Sequence, residues 1–237
     1  MTESTAWRDI ASTLRPPRDS PDGLLPPLLV VLTLVTGLVD ATSYLKLGHV
    51  FVANMTGNVV FLGFGIAGAG GISVWASLTA IGSFLIGGVG GGRIGARWAS
   101  ERGRLLAAAT AAELVLVGVA LVIAGFSPHH VGTGTRYAVI ALLAVAMGIQ
   151  NAAARKIAVA DLTTTVLTMT LTGVASDSRL AGGPGSKIGR RALSVAAMLL
   201  GALAGGALVL KVDNPAPLAL AAGLLAVTSF AAYRTSR

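Results

Sequence analysis

The chain has 237 residues, 54% hydrophobic and only 12% charged, with a mean hydropathy of +0.76. A soluble domain carries about 25% charged residues, so a water-soluble fold of this length would lack the polar side chains to cover its surface. With no cysteine, disulfides, thiolate metal sites and thiol catalysis are excluded, and the net charge of +8 fits basic cytoplasmic loops beside anionic lipid heads better than it fits nucleic acid.

The residues up to Asp22 are polar, with Arg8, Arg15 and Arg18 balanced by acids, and read as a flexible N-terminal tail over 1–23. Residues 24–237 read as a single membrane domain, its first half near 24–126 and its second near 136–233. The apolar run LLPPLLVVLTLVTGLVD has no small-residue cleavage site after it and is expected to remain as a first transmembrane helix. A membrane helix needs roughly 20 apolar residues. Candidate segments run Leu24–Leu45, Val50–Gly70, Ile72–Gly92, Leu105–Phe126, Tyr137–Ala154, Leu162–Ala175, Ala192–Leu210 and Pro215–Tyr233. The second is interrupted by the polar stretch VFVANMTGN; the sixth is short and crowded with threonine. Between the fourth and fifth, His129 and His130 follow Pro128 and read as a solvated pair rather than a metal site. GGVGGGRIGARW and GALAGG place small residues four apart, the spacing that lets helices approach closely.

If all eight segments cross, Lys and Arg split 10 to 8 between the two sides, which fixes no orientation. If the second and sixth enter and return to the same side, six crossings remain. Only Lys46, Arg136 and Lys211 then lie outside, against 15 basic residues inside. The positive-inside rule favours this arrangement, with both termini cytoplasmic in a bacterial plasma membrane. Re-entrant backbone is tolerated where it is buried in protein or lines a watery cavity. The expected fold is therefore an all-α integral membrane protein with six transmembrane helices and two broken or re-entrant segments, eight spans being the alternative.

GLVDATSYLKLG, from Gly37, is echoed by GIQNAAARKIAV, from Gly148: Gly37 matches Gly148, Asp40 matches Asn151 and Ala41 matches Ala152. With one extra residue between, Thr56 matches Thr168 and Asn58 matches Thr170. Each half would hold three crossings plus one broken segment, and an odd number inverts the second half relative to the first. Inverted repeats with discontinuous helices meeting near the midplane recur among transporters and channels.

The run GLVDATSYLKLGHVFVANMTGNVVFLG resembles the YoaK-like family of bacterial membrane proteins. The family pattern of Gly-x-x-Asp-Ala, an aromatic residue and Asn-Met-Thr-Gly-Asn is matched by Gly37, Asp40, Ala41, Phe51, Asn54, Met55, Thr56, Gly57 and Asn58. Its second element, Gly-x-Gln-Asn-Ala, is matched by Gly148, Gln150, Asn151 and Ala152. The threonine-rich element that follows keeps Thr164, Thr165, Thr168 and Thr170, with Met169 in place of a glycine. The resemblance implies a multi-pass inner-membrane protein and no activity beyond that.

The polar residues within apolar segments are the site candidates. An ionised aspartate at the bilayer centre costs roughly 2.5–3.5 kcal/mol, so Asp40 is either a helix-end carboxylate that reaches water or Lys46, or a site carboxylate. Glu113 lies deeper, where burial favours the protonated form: it serves a proton-coupled role, pairs with an arginine such as Arg93, or faces a neighbouring helix. Asn54 and Asn58 share a helix face while Thr56 points roughly opposite; a break at Gly57 would let all three line one cavity, and interhelical hydrogen bonding is the plainer alternative. Gln150 and Asn151 cap the fifth segment or line a cytoplasmic mouth. Thr165, Thr168 and Thr170 offer hydroxyls that also bond back to their own helix. Trp98 reads as an interface anchor and Trp7 as part of the tail.

These features lead to a small permease or channel for a small polar or ionic solute, its site between two broken helices near the midplane. The alternative is a membrane scaffold or sensor. No Gly-x-x-x-x-Gly-Lys run is present, so transport driven by the chain's own ATPase is not expected. No histidine or cysteine lies in the membrane segments to build a common proteolytic or metal site, so neither an enzyme nor a cofactor is expected. The expected partners are the bilayer and an unidentified small solute, with no nucleic acid; association with further copies of the chain stays open.

Overall fold

The computed structural model describes residues 3–17, 19–126, 132–159, 162, 167–178, 181–183, 188–212 and 215–235, with side chains from Ala6 onward. Among the described residues there are nine helices and no strand: α1 (Glu3–Leu14), α2 (Leu25–Lys46), α3 (Met55–Ile66), α4 (Val74–Arg97), α5 (Arg102–Gly125), α6 (Thr133–Ile157), α7 (Leu167–Ser176), α8 (Ile188–Lys211) and α9 (Ala216–Thr235). Six of them, α2, α4, α5, α6, α8 and α9, are long and apolar enough to cross a membrane, while α3 and α7 have only 12 and 10 residues. At 1.5 Å per residue these two reach roughly half way through a 30 Å hydrocarbon layer.

Local sequence sets the boundaries. Pro26 and Pro27 occupy the first turn of α2, where their missing N–H groups have no intrahelical partner to lose. Ser73 caps α4 by accepting the N–H of Ala76 at 3.2 Å. The N-terminal stretch departs from the expected flexible tail: residues 3–14 form α1, which lies on the start of α8, with Gly189 close against Ala6 and Asp9. A short polar helix of this kind gains its stability from docking, which its own composition does not announce.

Side-chain contacts fix which helix ends lie together. Asp22 pairs with Arg102 at 2.9 Å, joining the starts of α2 and α5. Arg97 and Arg104 both stack on Trp98, at 5.8 and 5.6 Å from the ring centroid, between α4 and α5. At the opposite end Ser73 and Tyr137 share a hydrogen bond at 3.3 Å, joining the starts of α4 and α6. Arg97, Arg102, Arg104, Arg155, Lys156, Arg190, Arg191 and Arg234 thus gather at one end of the bundle, and Lys46, Arg136 and Lys211 at the other.

The tightest helix pairs are α2 with α8 and α4 with α6. Gly201 and Gly205 on α8 lie against the backbone of Leu34 and Leu38, and Gly37 answers against Met198 and Ala202. In the other pair Gly87 and Gly91 on α4 lie against Val145 and Ile149, and Gly148 answers against Phe84 and Gly88. At each of these six glycines a Cβ would come within 3.0 Å of partner atoms. The two contacts correspond residue for residue: Leu34, Gly37, Leu38 and Ala41 stand to α8 as Val145, Gly148, Ile149 and Ala152 stand to α4. The four-residue spacing of small residues is the reason the backbones can meet.

Candidate functional site

The stretch that interrupts the second apolar segment begins where α2 ends. Gly48 adopts φ +96°, and the His49 N–H reaches back to the Tyr44 carbonyl at 3.2 Å, a glycine-terminated helix end that reverses the chain. The loop then runs back alongside α2, where its backbone groups need partners away from bulk water. Two motif side chains supply them. Asp40 Oδ1 accepts the N–H groups of Val52 at 2.9 Å and Ala53 at 2.8 Å. Asn58 accepts the Phe51 N–H at 2.9 Å through Oδ1 and donates Nδ2 to the Phe51 carbonyl at 2.6 Å. Asp40 is thus bound to the loop rather than to Lys46.

The helical break also falls elsewhere than Gly57. α3 starts at Met55 with Asn54 as its N-cap. Gly57 lies in the first turn under the Phe51 ring, whose Cδ2 would sit 2.7 Å from a Cβ there. Phe51 stacks between Tyr44 and Phe61, at centroid distances of 5.1 and 5.7 Å. The missing side chain therefore lets an aromatic ladder seal the loop onto α3.

A cavity of about 810 Å³ opens beside this loop. Its walls are Gly37, Asp40, Ala41, Tyr44 and Leu45 of α2, Met198, Ala202 and Gly206 of α8, and Phe84 of α4. Asn54, Met55, Thr56 and Gly57 enter from the start of α3, and Leu167 and Thr168 from the start of α7. The described starts of both short helices therefore converge on one space, and at the start of α3 the free N–H groups and the helix dipole give a partial positive character. A second cavity of about 960 Å³ lies toward the basic end, lined by Gly148, Asn151, Ala152, Arg155 and Lys156 of α6 and by Phe84, Gly88 and Gly92 of α4, among others. Phe84 belongs to both walls.

Of the sequence candidates, Asp40, Asn54, Thr56, Gly57 and Thr168 line the first cavity and Asn151 the second. Asn58 does not face either cavity, because the Phe51 backbone takes its amide; it is the buried residue of α3, as Thr170 is of α7. Gln150 points away from both cavities and donates Nε2 to Thr36 Oγ1 at 2.7 Å. Glu113 is buried on α5, outside both linings. Thr164 and Thr165, like His129 and His130, lie outside the described residues. Phe84, Tyr44, Met198 and Ala202 are lining residues that the sequence reading passed over. The glycine spacing pointed to the helix contacts beside them, but an apolar wall residue carries no polar signal.

An all-helical bundle with six helices long enough to cross and two half-length ones packed into it defines a multi-pass membrane protein. The chain belongs to the family described as "Protein of unknown function (DUF1275)", whose profile matches residues 28–231. It is 37% identical over 155 residues to the UPF0700 transmembrane protein YoaK of Bacillus subtilis (strain 168), an alignment covering 63% of this chain. The chain spans 65% of the length of that relative. No solved structure matches it.

Proposed function

We propose that the chain is a small permease or channel for a small polar solute, with its site in the cavity where α3 and α7 begin. The observation that carries this reading is the convergence of two half-length helices on one cavity, each presenting polar groups at its first turn: Asn54 and Thr56 from one, Thr168 from the other. Discontinuous helices that meet inside a bundle are a recurrent solute site.

The lining favours a neutral, hydrogen-bonding solute. The described lining holds no Lys, Arg or His. Its acid, Asp40, gives Oδ1 to the loop N–H groups just before α3 and offsets the positive end of that helix. What remains is an amide and hydroxyls on an apolar wall. The second cavity would be the opposite mouth of the same path, with Phe84 as the partition.

The matched glycine contacts support an inverted repeat in which α2, α3, α4 and α5 correspond to α6, α7, α8 and α9. The gathering of arginines at one end supports a cytoplasmic assignment for that end in a bacterial plasma membrane. Because the chain has no native cysteine, single cysteines can report sidedness. Ser100→Cys and Thr235→Cys are expected to label from the cytoplasm, and Lys46→Cys and Lys211→Cys from outside; Ser100 and Thr235 on opposite faces would sink the repeat.

The functional test is flux. Purified protein in liposomes, screened with small neutral polyols, amides and amino acids, should conduct one class, and Asn54→Ala with Thr56→Ala should abolish that flux while the protein stays folded. Unchanged flux in the double variant would remove the α3 start from the path.

A further inference from the structure

Helices α2, α5, α6 and α9 close a ring: α5 packs between α6 and α9, and α2 touches the same two. Thr36 and Glu113 stand equally far along α2 and α5, about 16 Å from their starts by the helical rise, and those starts are tied together by Asp22 and Arg102. Gln150 of α6 is bonded directly to Thr36. Thr36, Glu113 and Gln150 are 0, 0 and 1% exposed. The ring therefore has a polar layer at mid-height, separate from both cavities.

Donors and acceptors do not balance in that layer. The Thr36 hydroxyl spends its proton on the Leu32 carbonyl at 2.9 Å. Thr36 must therefore accept from Gln150, which fixes the amide with Nε2 toward Thr36 and Oε1 away from it. Gln150 Oε1 and both carboxyl oxygens of Glu113 are buried without a hydrogen-bond partner. Three acceptors thus share the layer, and none of them receives a hydrogen bond. The described lysines and arginines sit toward the helix ends, and the other acid buried in the spans, Asp40, is engaged by the loop N–H groups. The helices packed on α5 carry their charges away from this level: Arg93 and Arg97 in the last two turns of α4, Arg136, Arg155 and Lys156 near the ends of α6, and Arg234 in the last turn of α9. A buried, unpaired charge and unpaired acceptors are both costly. A divalent cation such as calcium would want six or more oxygens, and helix carbonyls are already committed to their ladders.

We infer that this layer is a proton-binding site: Glu113 is carried as the neutral acid, its hydroxyl donating to Gln150 Oε1. One proton from water converts a surplus of acceptors into a continuous chain, from Glu113 through Gln150 and Thr36 to the Leu32 carbonyl. The chain ties α5 to α6 and α2. Thr36 and Gln150 adjoin Gly37 and Asn151, which line the first and second cavities, so the site stands directly behind both walls. This inference goes beyond the permeation reading and holds or fails without it.

Infrared spectroscopy of the purified protein in detergent tests it, because a protonated carboxyl has a carbonyl stretch well separated from the bands of a carboxylate. The chain has only three glutamates, Glu3, Glu101 and Glu113, and isotopic labelling of glutamate assigns the band without any substitution. The wild type at neutral pH should show a protonated-acid band that moves with labelled glutamate, vanishes in Glu113→Gln and changes frequency in Gln150→Leu. A neutral-pH spectrum without a glutamate-derived protonated band overturns the inference. So does a band whose frequency is indifferent to Gln150→Leu, since the acceptor would then be another group. The labelled wild type decides the first point even if Glu113→Gln does not fold.

Discussion

Asn58 holds Phe51 by both of its backbone groups, donating to the carbonyl at 2.6 Å and accepting from the N–H at 2.9 Å. This reciprocal pair lies across the turn into α3, and the Asn58 side chain that makes it is fully buried. Asn58→Ala should leave two backbone groups unserved at about 1–3 kcal/mol each. Asn58→Asp keeps the acceptor but sets a second oxygen against the Phe51 carbonyl at a fully buried site, and should be destabilised at least as much. Thermal unfolding in detergent gives the order; an Asn58→Ala variant as stable as the wild type would show that the pair contributes nothing.

Asp40 performs the same service one step later in the loop. Asp40→Ala removes an acceptor shared by two N–H groups, whereas Asp40→Asn retains an oxygen without the charge that strengthens the bonds. Hydrogen bonds to charged groups contribute about 1.5–3 kcal/mol, so Asp40→Asn should lose part of the stability and Asp40→Ala more. A thiol placed by Ala53→Cys, slow to react in the wild-type background, should label faster in both, fastest in Asp40→Ala.

The glycine contacts predict matched penalties. Gly37→Ala and Gly148→Ala each drive a methyl into the facing backbone, and overpacking of this kind costs about 1–3 kcal/mol. Gly118→Ala on α5 meets nothing within 4 Å and should be neutral or gain up to about 1 kcal/mol from better helix propensity. Melting temperatures of the three variants check the contrast. A harmless Gly148→Ala would show that α4 and α6 lie further apart than described.

Phe84 is half-buried and shared by the two cavities. Phe84→Ala should join them and raise passive leak of small solutes in liposomes, with a stability loss below the roughly 3–5 kcal/mol of a fully buried phenylalanine. Phe84→Leu should restore most of the barrier. Equal leak in all three proteins would place the partition elsewhere.

Hydropathy and charge placement made the membrane class and the six-plus-two pattern readable from the residues, because length and apolarity are what a bilayer selects. The close approach at GGVGGGRIGARW and GALAGG was readable too, since small residues four apart let backbones meet. Three features were not. The helix over Glu3–Leu14 depends on α8, a partner distant in sequence. The break at Asn54 rather than Gly57 depends on Phe51, whose ring needs the space that Gly57 leaves. Asn58 looks like a lining residue in a sequence because its chemistry is right for one; only the loop's fold shows that its amide is already occupied. A polar residue in an apolar segment marks a backbone or a solute to be served, and sequence alone does not say which.

The partnership of α2 with α8 has a consequence for how the protein is made. A ribosome that has delivered α2 to the bilayer must still synthesise about 150 further residues, at about 5–20 per second, before the helix that covers Gly37 exists. Until then the close-packing face of α2 meets lipid or a chaperone. A chain interrupted before α8 leaves that face bare, which gives quality control a surface by which to tell an unfinished molecule from a finished one.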